Sequence, residues 1–231
     1  MTKNFPIKAN TLKGHALREY KKTITLNAIQ KEVLMGTLLG DASVPFRKGK
    51  SALCVQFKQT HSNAEYIHHL YDLFEHFVGT PPRVEKIRDM RGGQAKYYQS
   101  ILFRTYGHPE FQFYDDLFYP VHEYKGSSRK KRVPPNIHEL LTARSLAYWF
   151  MDDGTYHYTY KKSNKRTYRF STHSFPFEDQ QILVQALNNN FDIAATLQKE
   201  RSYYKLYIRS TSVNRFVDLI GASRKRALFL L

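Results

Sequence analysis

The chain has 231 residues, of which 42% are hydrophobic and 15% aromatic; it can bury one large core or two small ones and is not a disordered sequence. Its 36 Lys and Arg against 20 Asp and Glu leave a formal charge of +16, which argues for a polyanionic partner, nucleic acid above all, while the lack of a long basic amphipathic helix argues against a membrane surface. No stretch of about 18 apolar residues predicts a membrane span. The lone Cys54, in Ala52-Leu53-Cys54-Val55, excludes an internal disulfide and a cysteine-based zinc site and predicts a core position in a reducing compartment.

In chain order, residues 1–25 read as a polar, basic lead-in, helical around Leu17–Lys22. Asn27 predicts a helix cap, and the following run Val33–Leu39 is apolar nearly all round, so this helix is expected to be buried on most faces. Short strands are expected at Ser43–Phe46 and Leu53–Phe57, around the basic loop Arg47-Lys48-Gly49-Lys50. A helix is predicted over Ala64–Phe77, stopped by Gly79 and Pro81-Pro82. Strands at Arg83–Arg88 and Tyr98–Thr105 flank a turn that holds Arg91, and a helix at Glu110–Phe118 follows. Residues 120–140 form a linker with the cluster Arg129-Lys130-Lys131-Arg132 and then Pro134-Pro135. The order then recurs: helix Ala143–Met151, strands Thr155–Tyr160 and Thr167–Thr172 around Lys161-Lys162-Ser163-Asn164-Lys165-Arg166, helix Phe177–Phe191, strands Ala194–Glu200 and Tyr203–Ser210, helix Val213–Ile220.

The recurrence is visible residue by residue. LMGTLLGDA at 34–42 has a counterpart in LAYWFMDDG at 146–154, and each ends with an aspartate one residue before a small residue. Thr60-His61-Ser62 and Thr172-His173-Ser174 lie at matching distances beyond Asp41 and Asp153. The predicted fold is therefore α+β, with two pseudo-symmetric α-β-β-α-β-β-α halves: residues 26–119 and 141–220, preceded by the lead-in and followed by a tail at 221–231. Gly36, Gly40 and Ala42, with Ala147 and Gly154, would let the two motif helices approach closely.

Strand patterning and charge suggest what the halves bind. Val55 and Phe57 alternate with Gln56 and Lys58, and Leu206 and Ile208 alternate with Lys205, Tyr207 and Arg209. Sheets with one apolar and one Lys/Arg/Gln/Tyr face suit the DNA major groove, which admits a β-ribbon. Candidate DNA contacts are Arg47, Lys48, Lys50, Lys58, Arg83, Lys86, Arg88, Arg91 and Arg104 in the first half. In the second they are Lys161, Lys162, Lys165, Arg166, Arg169, Lys199, Arg201, Lys205 and Arg209.

Asp41 and Asp153 carry the chemistry in this reading. A carboxylate at the end of a buried helix is costly unless it is paired, and two at matched positions of a duplicated unit are hard to explain as caps. Hard oxygen donors on symmetry-related elements suit Mg²⁺ acting on phosphodiesters, one carboxylate per half and one cut per DNA strand. Neither a phosphate-binding Gly-x-x-x-x-Gly-Lys-Ser/Thr loop nor a Gly-x-Gly-x-x-Gly fingerprint occurs.

The second motif, Leu146 to Gly154, resembles the LAGLIDADG homing endonucleases, as do Leu38-Leu39-Gly40-Asp41-Ala42, Lys131-Arg132-Val133-Pro134-Pro135-Asn136 and Ser174-Phe175-Pro176-Phe177-Glu178. The resemblance covers roughly residues 25–220. It implies two central motif helices, saddle-shaped antiparallel sheets in the major groove, and a monomer that makes a double-strand break in a long asymmetric site. It further implies a divalent metal site formed by Asp41, Asp153, Gly40 and Asp152, Lys131 as a basic residue near the cleavage centre, and Gln59, or Lys58, as a polar neighbour matched by Ser171. The C-terminal stretch departs from the pattern, with Lys225 offered as the substitute for a basic residue near the second site. Double-stranded DNA is the implied partner and an organelle, mitochondrion or chloroplast, the implied setting. An intron RNA maturase and a catalytically decayed DNA-binding protein are the alternative readings.

Overall fold

A computed structural model describes residues 12–45, 52–90, 94–120, 129–158 and 166–228, with side chains through Gly221. The basic loop residues Arg47, Lys48, Lys50, Arg91, Lys161, Lys162 and Lys165, and the side chain of Lys225, lie outside them. Eight helices and seven strands are described: α1 Gly14–Thr23, α2 Ala28–Leu39, β1 Gln56–Thr60, α3 Ala64–Leu73, β2 Arg83–Asp89, β3 Lys96–Arg104, α4 Gln112–Phe118, α5 Ile137–Leu140, α6 Ala143–Asp153, β4 Gly154–Tyr158, β5 Arg166–Phe170, α7 Phe177–Phe191, β6 Ala195–Glu200, β7 Tyr203–Ile208 and α8 Val213–Leu228. The protein is α+β with two antiparallel sheets, ordered β1-β3-β2 and β4-β5-β7-β6. No described helix is long and apolar enough to cross a membrane.

Packing divides the chain into two compact units, and the division is not the one between repeats. One gathers the described residues of 1–30 and 42–112; the other gathers 31–41 with 113–230. The chain passes from one to the other within α2, so the first aspartate motif clusters with the second half of the sequence.

In the first unit the expected cap of α2 is a reciprocal pair. Asn27 Oδ1 accepts from the Gln30 N–H and Gln30 Oε1 accepts from the Asn27 N–H, both at 2.9 Å, which satisfies two orphan donors of the first turn. Helix α3 covers one face of the β1-β3-β2 sheet. Phe57 stacks on Phe103 with ring centroids 4.8 Å apart and meets Phe74 at 5.1 Å. Cys54 is buried, as its apolar neighbours predict.

The strands expected at Ser43–Phe46 and Leu53–Phe57 form only in part. Ser43 makes an isolated bridge to Gln56, and β1 begins three residues later than expected. The cause lies at Thr105, whose hydroxyl accepts the Val55 N–H at 2.9 Å, so Leu53–Val55 meets the 105–108 segment through separate hydrogen bonds instead of a ladder.

The second unit is built on α6, α7, α8 and the four-stranded sheet. Trp149 and Phe150 of α6 press on Phe170 of β5 at 4.1 and 5.3 Å, and Phe216 of α8 closes the cluster. Helix α7 has the expected bounds and ends at Asp192 in a left-handed conformation. Helix α8 continues to Leu228, past the predicted stop at Ile220, because Gly221 begins a run without proline that sustains helical hydrogen bonding.

Candidate active site and nucleic-acid interface

The second unit holds both motif aspartates. Residues 33–39 are buried all round, as their nearly continuous apolarity predicts, and the one hydroxyl, of Thr37, donates to the Val33 carbonyl. They pack against α6 through glycines: a Cβ on Gly36 would run into the Ser145 carbonyl, and one on Gly40 into the Asp152 side chain. Two polar clasps fix the pairing. The Ser145 hydroxyl donates to the Glu32 carbonyl at 2.9 Å, and the Arg144 guanidinium pairs with the Glu32 carboxylate. Glu32 and Arg144 are equivalent in the repeat, 112 positions apart (144 − 32) like Asp41 and Asp153 (153 − 41). One copy supplies the anion and the other the cation.

Asp41 follows the end of its helix and Asp153 is the last residue of α6. Both sit where unsatisfied carbonyls make the helix end electronegative, which disfavours a carboxylate. Burial, and then the charge of Asp41, push the Asp153 carboxyl up to about 7, against the opposing pull of Lys131. Lys131 donates from Nζ to the Gly40 carbonyl at 2.7 Å. The stem of Lys131 is partly exposed but its ammonium lies deep, so desolvation lowers its pKa to about 8, countered by Asp153, Asp152 and Asp41 in that order. The Asp41 N–H donates to Asp152 Oδ2 at 3.2 Å.

Of the residues named from the sequence, Asp41, Asp152, Asp153, Gly40 and Lys131 therefore share one unit and one cluster. Gly40 offers its carbonyl to Lys131, and Asp152 offers an oxygen to the Asp41 backbone. Gln59 belongs to the other unit, is nearly buried in β1 and accepts from Asn63 Nδ2 at 3.2 Å. Ser171 donates its N–H to the Asp153 carbonyl at 3.0 Å. The ladders also refine its counterpart. Ser43 faces Gln56 and Thr155 faces Arg169, so the starting residues are 112 apart (155 − 43) but their partners are 113 apart (169 − 56). This one-residue offset from the Thr-His-Ser match makes Lys58, not Gln59, the ladder equivalent of Ser171.

Sequence reasoning missed Asp179, an acidic residue in the first turn of α7. Its buried carboxylate accepts from Arg132 Nε and Nη2 and from the Val133 N–H, each at 2.8 Å. This clamp fixes the chain beside Lys131. The opposite charges at the equivalent positions 32 and 144 were a second readable signal.

Strand register sorts the basic residues. In the first sheet, Lys58, Arg83 and Arg104 lie on the face away from α3, while Lys86 and Arg88 share the face of Phe57, Ile101 and Phe103. In the second, Arg169 and Lys205 lie on the open face, while Arg166 and Lys199 share the face of Phe170, Leu206 and Ile208. Arg201 sits in the β6–β7 turn with φ 58°, and the exposed Arg209 follows β7. On the open faces Arg104 Nε donates to Gln56 Oε1 at 2.6 Å, and Arg169 donates to Thr155 Oγ1 at 3.0 Å and to Tyr207 Oη at 3.2 Å.

Comparison with known proteins decides the family. The profile of the LAGLIDADG DNA endonuclease family matches residues 31–216, which takes in both motifs and both sheets. The chain belongs to this family. Among its relatives in the family is a probable intron-encoded endonuclease of Wickerhamomyces canadensis, 30% identical over 207 residues, covering 89% of this chain and 84% of the relative. A cytochrome b mRNA maturase, bI2, of Saccharomyces cerevisiae is 27% identical over 85% of this chain, which spans 45% of that protein. The solved structure of the homing endonuclease I-WcaI bound to its DNA recognition sequence superposes with a TM-score of 0.78 at 26% identity, over 95% of this chain and 94% of that one.

Proposed function

We propose that this protein is a site-specific homing endonuclease that acts as a monomer and makes a double-strand break in a long, asymmetric DNA site. The observation that carries the reading is the convergence of Asp41 and Asp153 at the ends of two glycine-packed helices, in a +16 chain of the LAGLIDADG family. The likeness to a homing endonuclease bound to its DNA supports double-stranded DNA as the partner.

The donor set fits a hard divalent cation, and Mg²⁺ is the ion we assign. Burial and the neighbouring charge of Asp41 make Asp153 costly to ionise without a cation, and among the described residues no three His, Cys, Asp or Glu side chains close a metal cage. Such an open pair leaves coordination positions for water and a substrate phosphate. When bound, the cation would supply Lewis acidity to phosphodiester hydrolysis. Asp41 and Asp153 would hold it, one carboxylate for each DNA strand. Asp152 orients the Asp41 backbone, and Lys131 neutralises the cluster while fixing the Gly40 carbonyl. Gln59, or its neighbour Lys58, is proposed as a polar residue beside the first centre, and Ser171 beside the second. The open-face residues Lys58, Arg83, Arg104, Arg169 and Lys205 dock on DNA, joined by Arg201 and Arg209. Lys86, Arg88, Arg166 and Lys199, on the helix-side register, are left out of the reading surface. An organellar setting, mitochondrial or chloroplast, and the repeat boundaries at 26–119 and 141–220 belong to the same proposal.

The test is to incubate a large double-stranded library with the protein and Mg²⁺ and sequence the cut ends, beside Asp41→Asn. A recurrent site absent with the variant supports the endonuclease. Binding without cutting moves the weight to a decayed DNA-binding protein. Intron RNA maturation is the second reading, favoured by the likeness to the yeast maturase; splicing assistance that survives both Asp→Asn changes would support it.

A further inference from the structure

The strands of the two sheets contain three acidic residues: Glu85, Asp89 and Glu200. Asp89 pairs in register with Lys96 at the far end of the β2–β3 ribbon. The two glutamates are a different matter, because the ladders place them at equivalent positions. In the first sheet Ser43 faces Gln56, Gln56 faces Arg104, and Glu85 faces Ser100, four residues before Arg104. In the second, Thr155 faces Arg169, Arg169 faces Tyr207, and Glu200 faces Tyr203, four residues before Tyr207. Counted from the motif aspartates along the rungs, Glu85 and Glu200 are one position in two copies. The sequence hides this, since the connections between strands differ in length.

Each glutamate also has the same surroundings. Both lie on the outermost strand of their sheet, on the open face, and each meets two cations, at least one of them inward across the sheet. Glu85 meets Arg83 at 3.0 Å and, across β3, Lys58 at 3.4 Å. Glu200 meets Lys205 at 2.8 Å and, across β7, Arg169 at 4.0 Å. The cations hold both carboxyls below the ordinary glutamate range, the largest cause being the hydrogen bond from Arg83 in one case and from Lys205 in the other. Each is therefore a charged acceptor at neutral pH.

A carboxylate on a face that docks on phosphates repels the backbone and weakens binding to DNA in general. What it offers in return is selectivity. It has acceptors only, and in the major groove the donors are the exocyclic amino groups, N4 of cytosine and N6 of adenine. The bases that turn an oxygen toward it, guanine and thymine, meet an unpaired, repulsive charge. We infer that Glu85 and Glu200 are paired specificity residues, each accepting from an exocyclic amino group, cytosine first, and rejecting bases that offer an acceptor there. Their flanking cations keep the carboxylates aimed and take up the neighbouring phosphates or guanine edges. The inference rests on the DNA-reading proposal above.

The test reads binding apart from cutting. Wild type, Glu85→Gln and Glu200→Gln are each used to select from a randomised double-stranded DNA library without divalent cations, and bound molecules are sequenced. The side chains are partly exposed and the change is isosteric, so equal thermal melts will accompany the comparison. The expected result is that each variant loses roughly tenfold discrimination at one or two base pairs, that the two sets of base pairs do not overlap, and that affinity for random DNA rises. Glu178→Gln, outside the sheets, should leave the profile unchanged. A wild-type profile retained at every position by both variants overturns the inference, including the case where affinity rises uniformly. If wild type itself enriches no sequence, the DNA-reading proposal fails and this inference falls with it.

Discussion

The first motif ends Gly40-Asp41-Ala42 and the second Asp152-Asp153-Gly154, so the residue before the aspartate is glycine in one copy and a second carboxylate in the other. That difference divides the labour at the site. Gly40 has no side chain, which admits the Asp152 carboxylate against its backbone and leaves its carbonyl open to the Lys131 ammonium. Asp152 fills the space so created and takes the Asp41 N–H. The lesson is that duplication supplied two equivalent aspartates, whereas their packing and charge balance come from residues at which the copies disagree. Glu32 and Arg144 repeat the lesson at the other end of the helix pair.

The strongest way to break this comparison is to restore symmetry by force. Gly40→Ala and Gly36→Ala each put a methyl into a neighbour, and each should lower stability by about 1–3 kcal/mol, read by chemical denaturation. Both should also depress cutting. A neutral Gly40→Ala would mean that the asymmetry is not used.

Removing the extra carboxylate comes next. Asp152→Ala leaves the Asp41 N–H without its acceptor and should slow cleavage by roughly 10–100-fold, while Asp152→Asn, which keeps an acceptor oxygen, should recover most of that loss. Equal rates from the two variants would contradict the orienting role.

The electrostatic side of the comparison has a defined pH window. In the folded, metal-free protein the Asp153 carboxyl is raised from 3.8 to about 7. The fold thus favours the protonated form, and wild type loses stability as pH rises from about 4 to about 7. Asp153→Asn removes that penalty, so it should be more stable than wild type by up to about 4 kcal/mol above pH 7 and equal to it near pH 4. Divalent cation affinity, by calorimetry, should climb over the same interval in wild type because the ion needs the carboxylate. A flat difference between the two proteins from pH 4 to 8 would refute the desolvation argument.

The smallest effect sharpens the pseudo-symmetry. Glu32 and Arg144 keep part of their side chains in water, so breaking their pair should cost about 1 kcal/mol. Glu32→Arg should be the worse for placing two like charges together, and the double exchange Glu32→Arg with Arg144→Glu should restore stability, because the positions are equivalent. Failure of the double exchange would locate the effect in the surrounding helix instead.

Much of this architecture was legible in the sequence because it follows from local pattern. The motif match fixed the pairing of aspartates, the nearly continuous apolarity of 33–39 foretold a helix buried all round, and the alternation around Phe57 and Leu206 foretold one covered and one open face. What could not be read depends on register. Lys86, Arg88, Arg166 and Lys199 looked equivalent to Lys58 and Arg169 by charge, yet a count of one residue along a strand decides the face. The Thr-His-Ser match was one residue out of step with the ladders, since the connection from Thr155 to Arg169 is one residue longer than that from Ser43 to Gln56. The Asp179 clamp on Arg132 and Val133 joins residues 47 positions apart and leaves no periodic trace.

The central claim is that two equivalent aspartates in one unit serve the two strands of one DNA site. The most direct measurement is cleavage of a supercoiled plasmid carrying the recovered site, followed over time with wild type, Asp41→Asn and Asp153→Asn. Wild type should linearise the plasmid with Mg²⁺, and each variant should bind the site with little change while forming linear product more than about 1000-fold more slowly. Linear product at the wild-type rate from either variant would contradict the account.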